Sequence, residues 1–305
     1  MKEFSNSIFT SDFVYSVFRV TTPLLFASMG AVISDVAGVP NIALEGLMMI
    51  AAFAGMYFSF LTQSAFIGLL MALTAAVLFT GILAFFTLYY KTNIILGGIA
   101  INSLASGGTV FFLYLTAHDK GTSVALASKT LPVFHIPVIE NIPVLGSVFS
   151  GHNVLTYLSI FSVVFTYFLL KGTALGYHIR AVGEKKTAAE SVGISVVKTQ
   201  AAALLLSGIM CGFGGAFMSM GYVSWFSRDM VSGRGWIALA AEAMGRQTAI
   251  GSAAASVLFG IADAFSNVAA SMGLPSDLVK TIPYFATLMG LAIFSVKTYK
   301  RYKDA

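Results

Sequence analysis

Eight mostly apolar stretches, at 13–34, 41–62, 64–90, 94–116, 153–170, 201–221, 250–270 and 278–296, follow one another along this chain. A helix needs about 20 apolar residues to cross a bilayer, and it must bond all its backbone N–H and C=O groups within itself. A soluble domain has no use for such runs in series. They predict an all-α polytopic membrane protein, one transmembrane domain over 1–305 with about 8–10 helices. The composition agrees, with 57% hydrophobic and 10% charged residues, where soluble domains carry about 25% charged. Lys2, Glu3 and Asp12 with no small-residue cleavage pattern make the first stretch a retained helix rather than a signal peptide. The lone Cys211 excludes a disulfide framework within the chain.

Basic residues collect on the cytoplasmic side of membrane proteins. Of the 18 Lys and Arg, five lie at Lys171, Arg180, Lys185, Lys186 and Lys198 and four at Lys297, Lys300, Arg301 and Lys303. This predicts that 171–200 and the C-terminus are cytoplasmic. The stretch 117–152, with only Lys120 and Lys129 and with Pro132, Pro137 and Pro143 to keep it extended or turning, is then the extracytoplasmic loop. The net charge of +5 is a topology signal, and no nucleic-acid partner follows from it.

Two cytoplasmic segments require an even number of crossings between them, yet only three full windows lie between 200 and 297. The missing crossing falls on 234–247, where Arg234 and Arg246 bracket an apolar run. Twelve residues make roughly 18 Å of helix, short of a hydrocarbon core of roughly 30 Å. A short or broken helix inside the bundle satisfies both demands, since irregular backbone survives at that depth only when enclosed by protein or lining a cavity. The run Gly38-Val-Pro40-Asn41-Ile-Ala-Leu-Glu45-Gly46 has the same character, and both stretches read Gly, three residues, Ile-Ala-Leu, starting at Gly38 and Gly233. Paired interruptions of this kind occur in transporters built from internal repeats; chance in an Ala- and Leu-rich chain is the other reading. Gly38, Pro40, Glu45, Gly233, Arg234 and Gly235 are the candidate helix-break residues.

No Gly-Lys dipeptide occurs, so no phosphate-binding P-loop is present. His118, His135, His152 and His178 stand in predicted loops without ligand spacing, and Gly-x-Ser-x-Gly is missing, so neither a metal site nor an esterase-type nucleophile is predicted. Catalysis in this chain is not expected. Gly97-Gly98, Gly107-Gly108 and Gly212-Phe-Gly214-Gly215 fit close helix packing better than a nucleotide loop.

Five blocks in order along the chain carry a family resemblance. They are Gly38 to Gly46; Thr92-Asn93 through Gly97 to Asn102; Leu175 through Arg180, Gly183, Ala188-Ala189 and Gly193-Ile194; Gly233-Arg-Gly-Trp-Ile-Ala-Leu-Ala240; and Leu258-Phe-Gly-Ile-Ala-Asp263-Ala followed by Pro283-Tyr284. With these the chain resembles the permease subunits of bacterial ABC importers in the branched-chain amino acid and ribose permease superfamily, and within it the nucleoside branch served by a basic membrane lipoprotein. Pro40, Ala43 and the run after Gly245 depart from the usual pattern, which bears on fine substrate preference.

The resemblance implies a multi-pass subunit of the bacterial cytoplasmic membrane that forms half of a path for nucleosides, purine nucleosides foremost. It implies no cofactor in this chain, ATP and Mg being used by a separate ATPase with two fused nucleotide-binding domains. The further partners implied are a second related permease, a substrate-binding lipoprotein and membrane lipid. It makes 184–194 a coupling helix that docks on the ATPase, with Arg180, Gly183, Glu184, Lys185, Lys186, Ala188, Ala189, Gly193 and Ile194 as the coupling set. Without the resemblance, the same stretch reads equally as a solvated loop whose charges only fix orientation. Lys185 and Lys186 would face acidic groove residues, and Ala188, Ala189 and Ile194 would supply a compact apolar contact, which carries more of the docking energy than exposed ion pairs.

A carboxylate at the centre of a membrane helix costs about 2.5–3.5 kcal/mol on insertion scales, and Glu45, Glu242 and Asp263 are in that position. Asp263 and Asn267 are four residues apart and share a helix face. In one reading Asn41, Asn102, Asp263 and Asn267 line the path and bond ribose hydroxyls or base edges, with Trp236 or Phe226 as an aromatic face. In the other they cap broken helices and satisfy freed backbone groups, the role favoured for Glu45 and Arg234. A ribose permease is the alternative within the class. An ion-coupled secondary transporter using Glu45 or Asp263 is the rival outside it.

Overall fold

The computed structural model describes residues 10–137, 145–271, 281–282, 284–285, 287–290 and 292. Its helices are α1 (Ser11–Val36), α2 (Leu44–Thr62), α3 (Ala65–Ala84), α4 (Ile94–Ala117), α5 (Leu145–Phe149), α6 (Val154–Gly172), α7 (Ala174–Glu184), α8 (Lys186–Ser191), α9 (Val196–Phe217), α10 (Arg234–Met244) and α11 (Ala249–Ser271). α3 and α9 each run on into a π-helical turn, at Phe85–Tyr89 and Met218–Tyr222. Among the described residues, seven helices are long and apolar enough to cross a membrane, matching the first seven apolar stretches. The eighth, 278–296, lies largely outside the described residues, as do the basic tail and the charges at positions 2 and 3; within it 282, 284–285, 287–290 and 292 are helical.

Polar residues set the helix starts. Asn93 accepts from the Ile95 amide and Asn153 from the Leu155 amide, at 2.8 and 3.0 Å, which satisfies donors that the helix itself leaves open. α1 is buried continuously from Val20 to Ser34, as a helix apolar on every side must be. α9 packs on α1, α2 and α3, while α10 and α11 pack on α1. α4 lies outside α2 and keeps only 22% of its apolar window covered.

The two ends of the bundle differ. At one end the 118–153 connection folds over the 223–228 segment, where Thr122 bridges to Ser227 and the Ser123 hydroxyl accepts from the Phe226 amide. In the same connection β1 (Val133–Phe134) pairs antiparallel with β2 (His152–Asn153). The N-terminal turns of α1 belong to this end too, since Tyr15 donates to the Gly151 carbonyl and Arg19 to that of Tyr222. At the opposite end sit α7, α8 and the α1–α2 turn. The chain leaves α9 at the first end and enters α11 at the second, so residues 223–247 cross the bundle in between. They do so as irregular chain followed by α10, which is 11 residues long.

One expectation is corrected. The helix expected over 184–194 covers only Lys186–Ser191, because α7 runs on to Glu184 and the break falls at Lys185, whose backbone is extended. Gly183 lies inside α7, where a Cβ would collide with the Val36 carbonyl oxygen. Its glycine identity serves close packing on α1 and not a helix end.

Candidate translocation and coupling sites

The two interrupted segments meet. α1 ends in a Schellman turn: Gly38, with φ of 69°, donates to the Asp35 carbonyl at 2.8 Å and Val39 to that of Ser34 at 3.1 Å, and Pro40 follows to prevent continuation. Asn41 then holds the turn from within. It is fully buried, with its amide nitrogen donating to Ser207 at 3.0 Å and its side-chain oxygen accepting from the Ala43 amide at 3.0 Å. Asn102 of α4 does the same one step on, accepting from the Gly46 amide at 2.8 Å and donating to the Ile42 carbonyl at 2.9 Å. Asn102 is thus engaged on both sides by the broken backbone, and Asn41 by that backbone and by Ser207 of α9.

Glu45, in the first turn of α2, reaches across to the start of α10. One carboxylate oxygen accepts from the Gly233 amide and the other from the Gly235 amide, both at 2.7 Å. These are N-terminal amides of α10 with no partner inside the helix, and negative charge at a helix N-terminus is favoured by its dipole. The approach requires glycine. A Cβ on Gly235 would stand 2.5 Å from the Glu45 amide nitrogen, and Gly233 has φ of 76°. The Gly-x-x-x-Ile-Ala-Leu likeness therefore marks two real breaks, but in different registers, because α10 starts directly after its glycine and α2 six residues after its own. α2 runs from this junction towards the 118–153 end and α10 towards the opposite end, where Gln247 donates to Asp35 at 2.7 Å.

Beside the junction Arg234 donates to Asp263 at 2.9 Å, with side chains 13% and 16% exposed. The pair borders a cavity of about 190 Å³ that Ser232, Ile237, Ser266, Asn267 and Tyr284 also line. Tyr284 donates to the Ser232 carbonyl at 2.8 Å, and the buried Arg234 Nε has no hydrogen-bond partner among the described residues. Of the sequence-derived path residues, the structure brings Asp263 and Asn267 together here. Asn41 and Asn102 stand at the α1–α2 break, Trp236 is 45% exposed on α10, and Phe226 is fully buried edge-on against Phe53. Glu242 is buried next to Asp35.

The coupling candidates lie at the other end. α7 turns Gly176, Ile179 and Val182 inward, leaving Tyr177, Arg180 and Glu184 outside. Ala189 is 3% exposed and packs with Val182 and Val196. It belongs to this chain's own core, whereas Ala188 and Val192 are exposed. Val192 is 73% exposed. Lys185, Lys186 and Gly193 are exposed, and Ile194 is half-buried against the Ala189 cluster.

Residues 13–296 match the family described as branched-chain amino acid transport system, permease component. The chain belongs to that family. The permease is 30% identical to a nucleoside ABC transporter permease protein of Lactococcus lactis over 90% of its own length and 89% of the relative's. It is 32% identical to a guanosine ABC transporter permease protein of Bacillus subtilis, covering 89% and 88%. A second guanosine ABC transporter permease protein of Bacillus subtilis matches at 24%, covering 93% and 82%. No solved structure matches. The permease is a multi-pass transport subunit of the ABC type and not an enzyme in itself.

Ser232 and Ser266 of the cavity lining escaped the sequence reading, and Tyr284 entered it only within a family block; the Tyr284–Ser232 contact spans 52 residues. The exposed Val192 also escaped it, though it carried a signal as an apolar residue just before Gly193 in an otherwise polar stretch.

Proposed function

We propose that this permease forms half of the path of an ATP-driven importer for nucleosides, purine nucleosides foremost, in the bacterial cytoplasmic membrane. The observation that carries the reading is the match over about nine-tenths of the chain to permeases named for nucleosides and for guanosine. The cavity suits a neutral polar solute. Arg234 and Asp263 cancel in charge, while hydroxyl, amide and guanidinium groups offer donors and acceptors. At about 190 Å³ it is smaller than typical ligand pockets of about 300–1,000 Å³, which fits brief passage with selectivity held by a separate binding lipoprotein. The partners are that lipoprotein, an ATPase that uses ATP and Mg, and a second related permease. Two guanosine permeases of one organism both match this chain, as a pair of related subunits would.

In this reading the α7–α8 end faces the cytoplasm, the 118–153 connection faces outside, the C-terminus is cytoplasmic, and α8 docks on the ATPase. A contiguous packed route leads inward from there. Gly183 abuts Val36 and Gly38, the turn at Gly38 leads into α2, and Glu45 on α2 holds α10 beside Arg234 and Asp263. Displacement of α7 thus reaches the cavity through rigid elements. The test is uptake of labelled guanosine, uridine and ribose by proteoliposomes holding the permease with its sister, ATPase and binding protein. ATP-dependent nucleoside uptake is expected. Uptake by the permease alone under an ion gradient would overturn the reading in favour of a secondary transporter.

A further inference from the structure

An apolar groove of about 360 Å³ runs between α1, α6 and α11, bounded by Phe18, Leu25, Ile160, Val163, Ala253 and Val257. The hydroxyls at its floor are turned inward, Ser159 donating to the Thr156 carbonyl and Thr22 bonding the Thr156 hydroxyl. Its outer walls are apolar and open, with Ile160, Val164 and Val257 between 40% and 46% exposed. On the same helix faces, one to two turns further along, lies a second cavity of about 300 Å³ lined by Tyr167, Lys171, Arg180, Gln247, Thr248 and Ile250. The i, i+3, i+4 and i+7 positions of α6, namely Ile160, Val163, Val164 and Tyr167, pass from one cavity into the other, as do Val257, Ala253 and Ile250 of α11. Groove and second cavity thus lie in line along one face of α6 and α11.

The second cavity is cationic. The Lys171 ammonium lies 4.7 Å from the Tyr167 ring centre and the Arg180 guanidinium 4.8 Å from that of Tyr177. Neither is paired with a carboxylate among the described residues. Glu184, one turn from Arg180 on α7, is exposed, and Asp35 receives the Gln247 amide. The cavity also contains the first residues of α11, a 23-residue helix whose N-terminal amides favour an anion. Arg180 stands two residues from Val182, so it projects from the side of α7 opposite to the Val182–Ala189 cluster.

We propose that groove and cavity together hold one anionic phospholipid, its phosphate between Lys171 and Arg180 at the start of α11 and one acyl chain along the α6–α11 groove. The dimensions agree. From Lys171 back to Thr156 is about 22 Å of helix, enough for a headgroup and one leaflet of a core about 30 Å thick. A groove without accessible polar groups cannot reward a polar protein segment, and two unpaired cations at its end select an anionic headgroup over a zwitterionic one.

Native mass spectrometry of the full chain in detergent, titrated with phosphatidylglycerol or phosphatidylcholine, tests this. Phosphatidylglycerol should be retained more strongly. Lys171→Gln with Arg180→Gln should weaken that retention about thirtyfold, about 2 kcal/mol, at about 1 kcal/mol for each basic residue near a membrane surface, and should leave phosphatidylcholine unchanged. Ala253→Trp, which fills the groove and leaves the cations intact, should weaken both lipids. Inorganic phosphate should fail to displace phosphatidylglycerol. Equal retention of the two lipids by the unaltered chain, full displacement by inorganic phosphate, or lipid binding unchanged in both variants would overturn the proposal. So would a double variant that keeps its lipid while losing the co-purified ATPase, since the cations would then serve a protein contact.

Discussion

The Glu45 junction allows the sharpest single test, because one side chain holds two backbone donors of a helix that is too short to cross the membrane. Each bond, at 2.7 Å to Gly233 and Gly235, joins an ionised carboxylate to an amide, an interaction worth about 1.5–3 kcal/mol net. Glu45→Ala removes both and should loosen the start of α10 by about 3–4 kcal/mol. Glu45→Gln keeps one carbonyl oxygen but turns an NH2 group towards the other amide, so it should cost about half as much. At a factor of ten for each 1.4 kcal/mol, hydrogen exchange at the Gly233 and Gly235 amides should quicken about a hundredfold or more in the alanine variant and about tenfold in the glutamine variant. Glu45→Asp, about 1.5 Å shorter, cannot reach both amides and should resemble glutamine. Exchange of 231–238 within a factor of about two of the unaltered protein in both the alanine and glutamine variants would refute the reasoning, because α10 would then be held by its packing on α1 and α11 without the Glu45 bonds.

Further perturbations address the route and the docking end. Gly183→Ala forces a methyl group against the Val36 carbonyl, an overpacking cost of about 1–3 kcal/mol, and should reduce ATP-driven uptake in proteoliposomes while ATPase co-purification persists. Val192→Asp, at a 73% exposed position, should change thermal stability by less than about 0.5 kcal/mol yet weaken ATPase capture in a pull-down. Ala189→Asp buries a charge in the Val182–Val196 cluster and should lower stability by about 3 kcal/mol or more. A double-mutant cycle on Arg234→Gln and Asp263→Asn should show coupling of about 0.5–3 kcal/mol in thermal unfolding, with the double variant less destabilised than the sum of the two single variants. Burial pushes the His152 imidazole below its usual 6.5, so the folded state favours the neutral ring that stacks on Tyr15 at 4.0 Å. That stability is complete above the unfolded pKa of about 6.5 and is lost as pH falls towards the lower folded value; limited proteolysis within 131–153 should therefore accelerate on acidification, and His152→Gln should remove the pH dependence.

How much of this was legible in the sequence follows from the range of each interaction. Helix positions were, because spanning length and apolarity are local: the windows at 94–116 and 250–270 differ from α4 and α11 by a residue at the ends. The break at Gly38 was legible from Gly and Pro two apart, and the short α10 from charge parity rather than from any pattern of its own. The direction in which Ala189 faces was not. A six-residue helix has too little periodicity to show a face, and the cluster that takes Ala189 is built from Val182 and Val196 on two other helices. Nor was the partnership of Glu45 with Gly233 and Gly235, since the residues are 188 and 190 apart and a glycine presents only a backbone amide, which composition cannot reveal.

The junction also explains why this bundle places charge where hydrocarbon penalises it. Breaking two helices at one depth leaves unsatisfied amides, and in a membrane each has no water to turn to. One glutamate answers two of them at once. An arginine next to those amides would add an uncompensated charge, and Asp263 supplies the compensation at 2.9 Å. The charged groups are thus consequences of the break, and the cavity follows from them, because Arg234 and Asp263 keep polar surface open inside an apolar bundle. A solute that hydrogen-bonds without charge can use that surface without displacing the ion pair. An ion would have to compete with it, so the same geometry that admits a neutral polar solute disfavours ion coupling at this site.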